Sequence, residues 1–156
     1  MPYKLYAKEH PVAAGTRPNE FYEELKKIPN IILISPRENM ENLVKNSSGV
    51  ISLTSTVGLE AALVGKPVYV LGDVFYSYHP LCRKVKNFEE LESRIREDLI
   101  DMKMPASLED INTHFVVSYF RNTIPGDMIT AGAQKDTNDY KLIYKSILKL
   151  LTKNKY

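Results

Sequence analysis

Four runs of apolar residues divide the first half of the chain, and polar segments rich in proline and glycine separate them. The runs are Tyr3–Lys8, Asn30–Ser35, Gly49–Thr54 and Pro67–Gly72. NIILIS and GVISLT are nearly continuous apolar runs, which is typical of strands buried on both faces of a parallel sheet. The pattern therefore predicts four strands in the first half of the chain.

Between these strands, apolar residues recur at helical spacing, and each helix has a start signal. Asn19 and Asn39 are the predicted N-caps of the first two helices. Ser55 is the predicted N-cap of the third helix, with Thr56 at its first helical position. Gly65 fits the position just past the end of that helix, where a left-handed residue is common. Caps and stop signals therefore agree with the apolar spacing.

The second half of the chain is predicted to be mainly helical. NFEELESRIREDLI begins with Asn87 and Glu90, and SLEDINTHFVVSYF begins with Ser107 and Asp110, so each has a cap and an acid three residues later. The segment NTIPGDMITAGAQKDTN is predicted to be a loop. The last helix, NDYKLIYKSILKLL, carries one apolar stripe: Tyr140, Ile143, Ile147 and Leu151.

Strands that alternate with helices through short loops predict an α/β fold. We expect a Rossmann-like open parallel sheet with helices on both faces, in a single domain over residues 1–156. Ligands of such sheets bind beyond the carboxyl ends of the strands. Three loops are predicted to lie at that edge: His10–Asn19, Ser35–Asn39 and Thr54–Gly58.

Composition excludes several classes of function. The chain has 21 Lys and Arg against 19 Asp and Glu, a net charge of +2, which predicts no nucleic-acid partner. Cys82 is the only cysteine, which excludes an internal disulfide and a CxxC site. The three histidines are dispersed, so no metal site is predicted, and no cofactor is expected. Without a long apolar run or a signal peptide, a cytoplasmic protein is expected.

The start of the third helix, STVGLEAALVG, carries the strongest candidate chemistry. Ser55 and Thr56 offer hydroxyls, and Gly58 stands where a capping box would place an acid, so the first amides are left for an anion such as phosphate. Gly58 would also let a ligand approach the backbone. Glu60 would repel phosphate and is expected to accept hydrogen bonds from ribose hydroxyls. The alternative is a packing helix with Gly58 in close contact and Glu60 in solvent.

Two further loops carry candidate residues. His10 follows the first strand directly, where it could donate to a phosphate or act as an acid, and Lys8 and Arg17 could add positive charge. A surface histidine without function is the alternative. GDVFYSYHP follows the fourth strand with four aromatic rings, and Tyr76 is the candidate to contact a base or a sugar. The alternative is that these rings cover the edge of the sheet.

The segments KEHP, LISP and SLTSTVGLEAALVGKPVYVLGDVFY together resemble the C-terminal half of the capsular polysaccharide biosynthesis transferases, which are GT-B-type enzymes that include bacterial Kdo transferases. The resemblance covers Tyr3 to Tyr76. It implies a GT-B C-terminal-type domain in which His10 contacts the donor phosphate and can protonate the leaving group. It also implies donor contacts for the remaining candidates: Ser55 and Thr56 on the phosphate, Glu60 on the ribose, and the backbone near Ser35 and Pro36 on the base.

The same resemblance implies partners. The donor would be a nucleotide-sugar, either CMP- or UDP-linked. Family members take their general base and most of the acceptor site from an N-terminal GT-B domain. We expect that domain to be missing from this chain, and we therefore expect the chain to transfer little alone. Any membrane association is expected to be peripheral and to come through the full-length protein. Two alternatives stay open: a non-catalytic nucleotide-binding or scaffold module of GT-B fold, and half of a nucleotide-sugar epimerase.

Overall fold

The computed structural model describes residues 3–101, 107–124 and 138–153. These residues form two compact units. The first contains residues 3–77 and 81–101, and the second contains residues 78–80 with the described parts of the chain after 103. The single domain over residues 1–156 stays a prediction.

The first unit holds all five described strands and four helices. In chain order they are β1 (Leu5–Lys8), α1 (Asn19–Lys26), β2 (Ile31–Ile34), α2 (Met40–Asn46), β3 (Val50–Ser52), α3 (Val57–Leu63), β4 (Val68–Val70), β5 (Cys82–Lys84) and α4 (Phe88–Asp101). Short 3₁₀ turns cover Pro11–Ala13 and Phe75–Tyr78.

The strands form two parallel sheets. β1 pairs with β2, with Leu5 opposite Ile31, and β3, β4 and β5 form the second sheet in that order, with Val68 opposite Cys82. The predicted α/β, Rossmann-like class is confirmed: the parallel sheets are open and flanked by helices. β5 was not predicted from the sequence.

The core of the first unit lies around β4 and α3. Val68, Tyr69 and Val70 are all buried because β4 is the central strand of its sheet. Ala61 and Ala62 on α3 are also fully buried. The prediction that β2 and β3 are buried on both faces is wrong. β2 is half-buried throughout and only Ser52 of β3 is buried, since both lie at the edges of small sheets.

Three of the predicted helix caps are confirmed. Asn39 Oδ1 accepts a hydrogen bond from the Asn42 amide at 3.0 Å, and Asn87 Oδ1 accepts one from the Glu90 amide at 2.8 Å. In the second unit, Ser107 Oγ accepts from the Asp110 amide at 3.1 Å. These bonds satisfy amides that have no partner within the helix.

The end of α3 is also as predicted. Gly65 has φ +83°, its amide donates to the Ala62 carbonyl at 3.0 Å, and the Lys66 amide donates to the Ala61 carbonyl at 2.9 Å. This pair of bonds is a Schellman motif, which favours glycine because it has no Cβ.

Two predicted helix starts are wrong. α1 begins at Asn19 itself, after Pro18, and Asn19 does not cap it with its side chain. α3 begins at Val57, with Thr56 as its N-cap, so Ser55 lies one residue before the cap. Gly58 is therefore the second residue of α3 instead of the third.

The second unit contains α5 (Leu108–Arg121) and α6 (Asn138–Lys153). His79 is buried in this unit, with Nε2 3.1 Å from Asn112 Oδ1 and its ring edge-on to Phe115. This histidine has a packing role in the structure. Most of the predicted loop NTIPGDMITAGAQKDTN, residues 125–137, and the side chain of Leu151 lie outside the described residues.

Candidate functional site

The turn between β3 and α3 is closed by a buried serine. Ser52 Oγ accepts a hydrogen bond from the Ser55 amide at 3.1 Å and donates to the Ser55 carbonyl at 3.3 Å. Ser52 was not among the residues predicted from the sequence. Its signal was a hydroxyl at the end of an otherwise apolar strand, three residues before Ser55.

A buried tyrosine holds the same turn from the next connection in the sheet. The Tyr76 ring is fully buried, and its hydroxyl donates to the Ser55 carbonyl at 2.5 Å. The Gly58 amide also donates to that carbonyl, at 3.2 Å. The backbone of Ser55 is thus fixed by three residues, and the turn has little freedom.

Gly58 leaves the space that Tyr76 occupies. A Cβ on Gly58 would lie 2.5 Å from the Tyr76 hydroxyl oxygen and 2.9 Å from two ring carbons. This is the close contact described by the packing alternative, and Tyr76 does not expose its ring. The roles predicted for Gly58 and Tyr76 toward a ligand stay predictions, and in the structure both residues shape the turn.

The outer side of the turn carries exposed hydroxyls. Thr54, Ser55 and Thr56 are all exposed. Ser55 Oγ accepts only a long hydrogen bond, 3.4 Å, from the Val57 amide, and Thr56 makes no side-chain cap bond. Glu60 is exposed in the first turn of α3. The turn therefore presents hydroxyls and one carboxylate to solvent.

His10 caps the 3₁₀ turn that follows β1. Its Nδ1 accepts a hydrogen bond from the Val12 amide at 3.2 Å, and the residue is exposed. Because Nδ1 accepts, a neutral His10 ring carries its proton on Nε2. The Nε2–H group is then a donor that the cap does not use.

The loop after His10 is anchored through Glu9. One carboxylate oxygen lies 3.2 Å from Arg17 Nε, and the other accepts a hydrogen bond from the Tyr22 hydroxyl at 2.8 Å. The bond to Glu9 raises the pKa of the Tyr22 phenol. Arg17 also stacks over Phe21, with 4.8 Å from Cζ to the ring centroid. Arg17 is therefore paired within the loop, which limits the charge it can offer to a ligand.

Lys8 brings the first two predicted loops together. Its Nζ donates to the Pro36 carbonyl at 2.8 Å, and Ser35 Oγ accepts from the Arg37 amide at 3.2 Å. The parallel pairing of Lys8 with Ile34 places both strand ends at one edge. Lys8, Ser35 and Pro36 therefore form one group, and we include His10 in it because this residue follows the end of β1 by two positions.

The structure does not join this group to the β3–α3 turn. Within residues 3–101, no hydrogen bond or ion pair connects Lys8, His10, Ser35 or Pro36 to Ser55, Thr56 or Glu60. The candidate site thus consists of two groups, one at the end of each sheet.

A cleft of about 390 Å³ lies between β5 and α4, and no residue of either group lines it. Its charges are held in ion pairs: Arg83 lies 3.6 Å from Asp98, Arg94 lies 3.3 Å from Glu97, and Lys84 pairs with Asp73 outside the lining. Cys82 also lines this cleft, and burial raises the pKa of its thiol to about 11. Because these cations are already paired and the thiol is neutral, the cleft is a poor site for a phosphate or for a cysteine nucleophile.

The residues that the structure describes contain no group of three or more His, Cys, Asp or Glu side chains that could hold a metal ion. They also contain no helix that is both long and apolar enough to cross a bilayer.

The chain matches a known protein family. The profile of a family described as "Capsule polysaccharide biosynthesis protein" matches residues 2–119 of the 156. No curated protein and no solved structure matches the chain. The family match includes β1 to β5, both groups of the candidate site and most of α5. Since it spans well over half of the sequence, the chain belongs to the capsule polysaccharide biosynthesis protein family.

Proposed function

We propose that this chain binds the nucleotide-sugar donor of a GT-B glycosyltransferase. Membership of the capsule polysaccharide biosynthesis family supports a role in surface polysaccharide synthesis. The observation that carries the finer proposal is the β3–α3 turn, whose backbone is fixed from inside by Ser52 and Tyr76 while its hydroxyls face solvent.

A fixed turn with outward hydroxyls suits a phosphate. Ser55 and Thr56 would donate to phosphate oxygens without the cost of ordering a flexible loop. Glu60 follows one turn later on an exposed position, where its carboxylate would accept from neutral ribose hydroxyls. A nucleotide rather than a free phosphate therefore fits the mixture of hydroxyls and carboxylate.

The second group would act on the departing nucleotide. His10 Nε2–H is a donor that is not used by the cap on Val12. It would stabilise negative charge on the leaving phosphate or, when protonated, supply a proton. Lys8 would add positive charge at the same edge, and the backbone of Ser35 and Pro36 would meet the base.

Transfer itself would need a second domain. We propose that an N-terminal GT-B domain supplies the acceptor site and the general base. The chain alone should then bind nucleotide and show little or no transfer. Adding such a domain should restore transfer without changing which nucleotide is bound.

Calorimetric titration with CMP, UDP and their sugars tests the proposal. One nucleotide should bind and stabilise the protein against heat, since ligands that bind only the folded state raise its stability. Ser55→Ala and Thr56→Val should each weaken binding about 10- to 150-fold, because a hydrogen bond to a charged group contributes about 1.5–3 kcal/mol. His10→Gln should also weaken binding.

The chain offers matched controls for these variants. Ser118 and His114 are exposed residues of α5, and Ser118→Ala and His114→Gln should leave nucleotide binding unchanged. A flat response of the wild-type protein to every nucleotide would contradict the proposal and favour a scaffold module. Equal weakening by site and control variants would also contradict it.

A further inference from the structure

The last helix, α6, has an unusual arrangement of lysines. Lys141, Lys145, Lys149 and Lys153 recur at every fourth residue between Asn138 and Lys153, and Asp139 is the single acid of the helix. Because an α-helix has 3.6 residues per turn, residues four apart stay on nearly the same side. Lys141, Lys145 and Lys149 therefore form a stripe that winds slowly along α6.

An exposed apolar sector runs beside the lysine stripe. Tyr144 is 63% exposed, Ile147 48% and Leu148 42%. With 100° per residue, these three side chains fall within a sector of about 100°, and Lys141 and Lys145 lie just beyond Leu148. Half-buried Ile143 lies on the other side of the sector. Lys141 and Lys145 therefore lie beside the apolar sector on the exposed surface of α6, and Lys149 follows further round the helix.

The charges of α6 are not balanced within the helix. On α4, Arg94 and Arg96 are paired with glutamates three or four residues away. Among the residues that the structure describes, no ion pair joins Lys141, Lys145 or Lys149 to a carboxylate. A helix with this pattern is complementary to a surface that is apolar inside and negatively charged outside.

We propose that α6 lies in the plane of an anionic membrane surface. Tyr144, Ile147 and Leu148 would enter the boundary between headgroups and acyl chains, and the lysines would contact lipid phosphates. Tyrosine suits this depth because its ring is apolar and its hydroxyl polar. Lysine stems can lie along the apolar boundary while the ammonium groups stay in water.

A membrane surface fits these observations better than other partners. A nucleic acid would use the lysines and leave the exposed Tyr144, Ile147 and Leu148 in water. An acidic protein groove would need matching side chains, whereas anionic lipids attract each lysine near the surface by about 1 kcal/mol whatever its spacing. The inference is independent of nucleotide binding, since it uses residues of the second unit alone.

Vesicle binding by the full chain, without nucleotide, tests the proposal. The protein should sediment with vesicles of phosphatidylcholine and phosphatidylglycerol, sediment less as salt is raised, and stay free with phosphatidylcholine alone. Lys141→Gln with Lys145→Gln should lower the partition coefficient about tenfold or more. Tyr144→Ser tests the apolar sector at its most exposed side chain, where folding is least at risk, and should also reduce binding.

A matched double variant controls for net charge. Lys4 and Lys86 are exposed residues of the first unit, and Lys4→Gln with Lys86→Gln makes the same change in charge. This variant should bind vesicles like the wild type. Three results would overturn the proposal: no binding of the wild type to anionic vesicles, equal loss in both double variants, or a dimer in solution that Tyr144→Ser dissociates. Far-ultraviolet circular dichroism checks that each variant keeps its helix content.

Discussion

Replacing Gly58 by alanine tests whether this glycine is needed to make room for Tyr76. The added Cβ would lie 2.5 Å from the Tyr76 hydroxyl oxygen and 2.9 Å from ring atoms Cε2 and Cζ. The ring is fully buried, and its hydroxyl is bound to the Ser55 carbonyl at 2.5 Å. Relief of the clash therefore requires a shift of a buried ring or of the α3 backbone.

The expected loss follows from two opposed effects. Overpacking a buried site costs about 1–3 kcal/mol, and a contact this short belongs near the upper end. Alanine in place of glycine inside a helix raises the free energy of unfolding by about 0.5–1 kcal/mol. The free energy of unfolding of Gly58→Ala should thus fall by about 2 kcal/mol, which lowers Tm by about 4–8 °C in a chain of this size.

Urea unfolding, followed by far-ultraviolet circular dichroism, measures this loss in a double-mutant cycle with Tyr76→Leu. Leucine removes the hydroxyl and the ring, so Gly58→Ala should cost little or even stabilise in that background. Gly15→Ala is the control: Gly15 has φ +77° and open space around its missing Cβ. Its cost of about 1–2 kcal/mol should come from the backbone alone and be the same in both backgrounds. If Gly58→Ala lowers the free energy of unfolding equally in the wild-type and the Tyr76→Leu backgrounds, the reasoning is refuted.

The remaining predictions concern Ser52 and Cys82. Ser52→Ala should lower the free energy of unfolding by about 1–3 kcal/mol, because it leaves the Ser55 amide without its partner, while Ser118→Ala on exposed α5 should change it by less than about 0.5 kcal/mol in the same urea titration. Burial raises the pKa of the Cys82 thiol from 9.0 to about 11, so folded protein at pH 8 should hold about a hundredfold less thiolate and react correspondingly more slowly with iodoacetamide than urea-unfolded protein. Alkylation equally fast in the folded protein would contradict the assignment of Cys82 as buried and neutral. Because the pKa of this thiol is higher in the folded than in the unfolded protein, its contribution to stability is full below pH 9 and is lost between pH 9 and 11. Burial, with Asp98 nearby, also raises the pKa of Tyr69, so this phenol acts on stability in the same direction.

Most of the first unit could be predicted from local sequence. β1 to β4 each lie within the apolar run that predicted them, and Asn39, Asn87 and Gly65 act as cap or stop signals. These features depend on residues near one another in the chain. They can therefore be read without knowing which strands pair.

β5 could not be predicted in the same way. Its residues, Cys82–Lys84, include two cations and give no clean alternation of buried and exposed positions. What forms the strand is its pairing with β4: the Val68 amide donates to the Leu81 carbonyl and the Val85 amide to the Val70 carbonyl, each at 2.9 Å. Backbone hydrogen bonds of this kind carry no side-chain signal.

The start of α3 was missed for a related reason. Ser55 has the right side chain for an N-cap, but its carbonyl accepts from Tyr76, 21 residues later, and its amide donates to Ser52. These two partners hold Ser55 in the turn, so the helix begins at Val57. A cap signal fails here because more distant contacts fix the backbone.

The same contacts separate residues that hold the turn from residues that would bind a ligand. The amide and the carbonyl of Ser55 are both used inside the protein, and only its hydroxyl faces outward with a single weak bond. A variant of Ser52 or Tyr76 should therefore lose stability first, and binding only as far as the turn loosens. Ser55→Ala should lose nucleotide binding at nearly unchanged stability. If the proposed function is correct, the two kinds of variant fall on different lines when binding is plotted against the free energy of unfolding, and a single common line would mean that the turn is structural only.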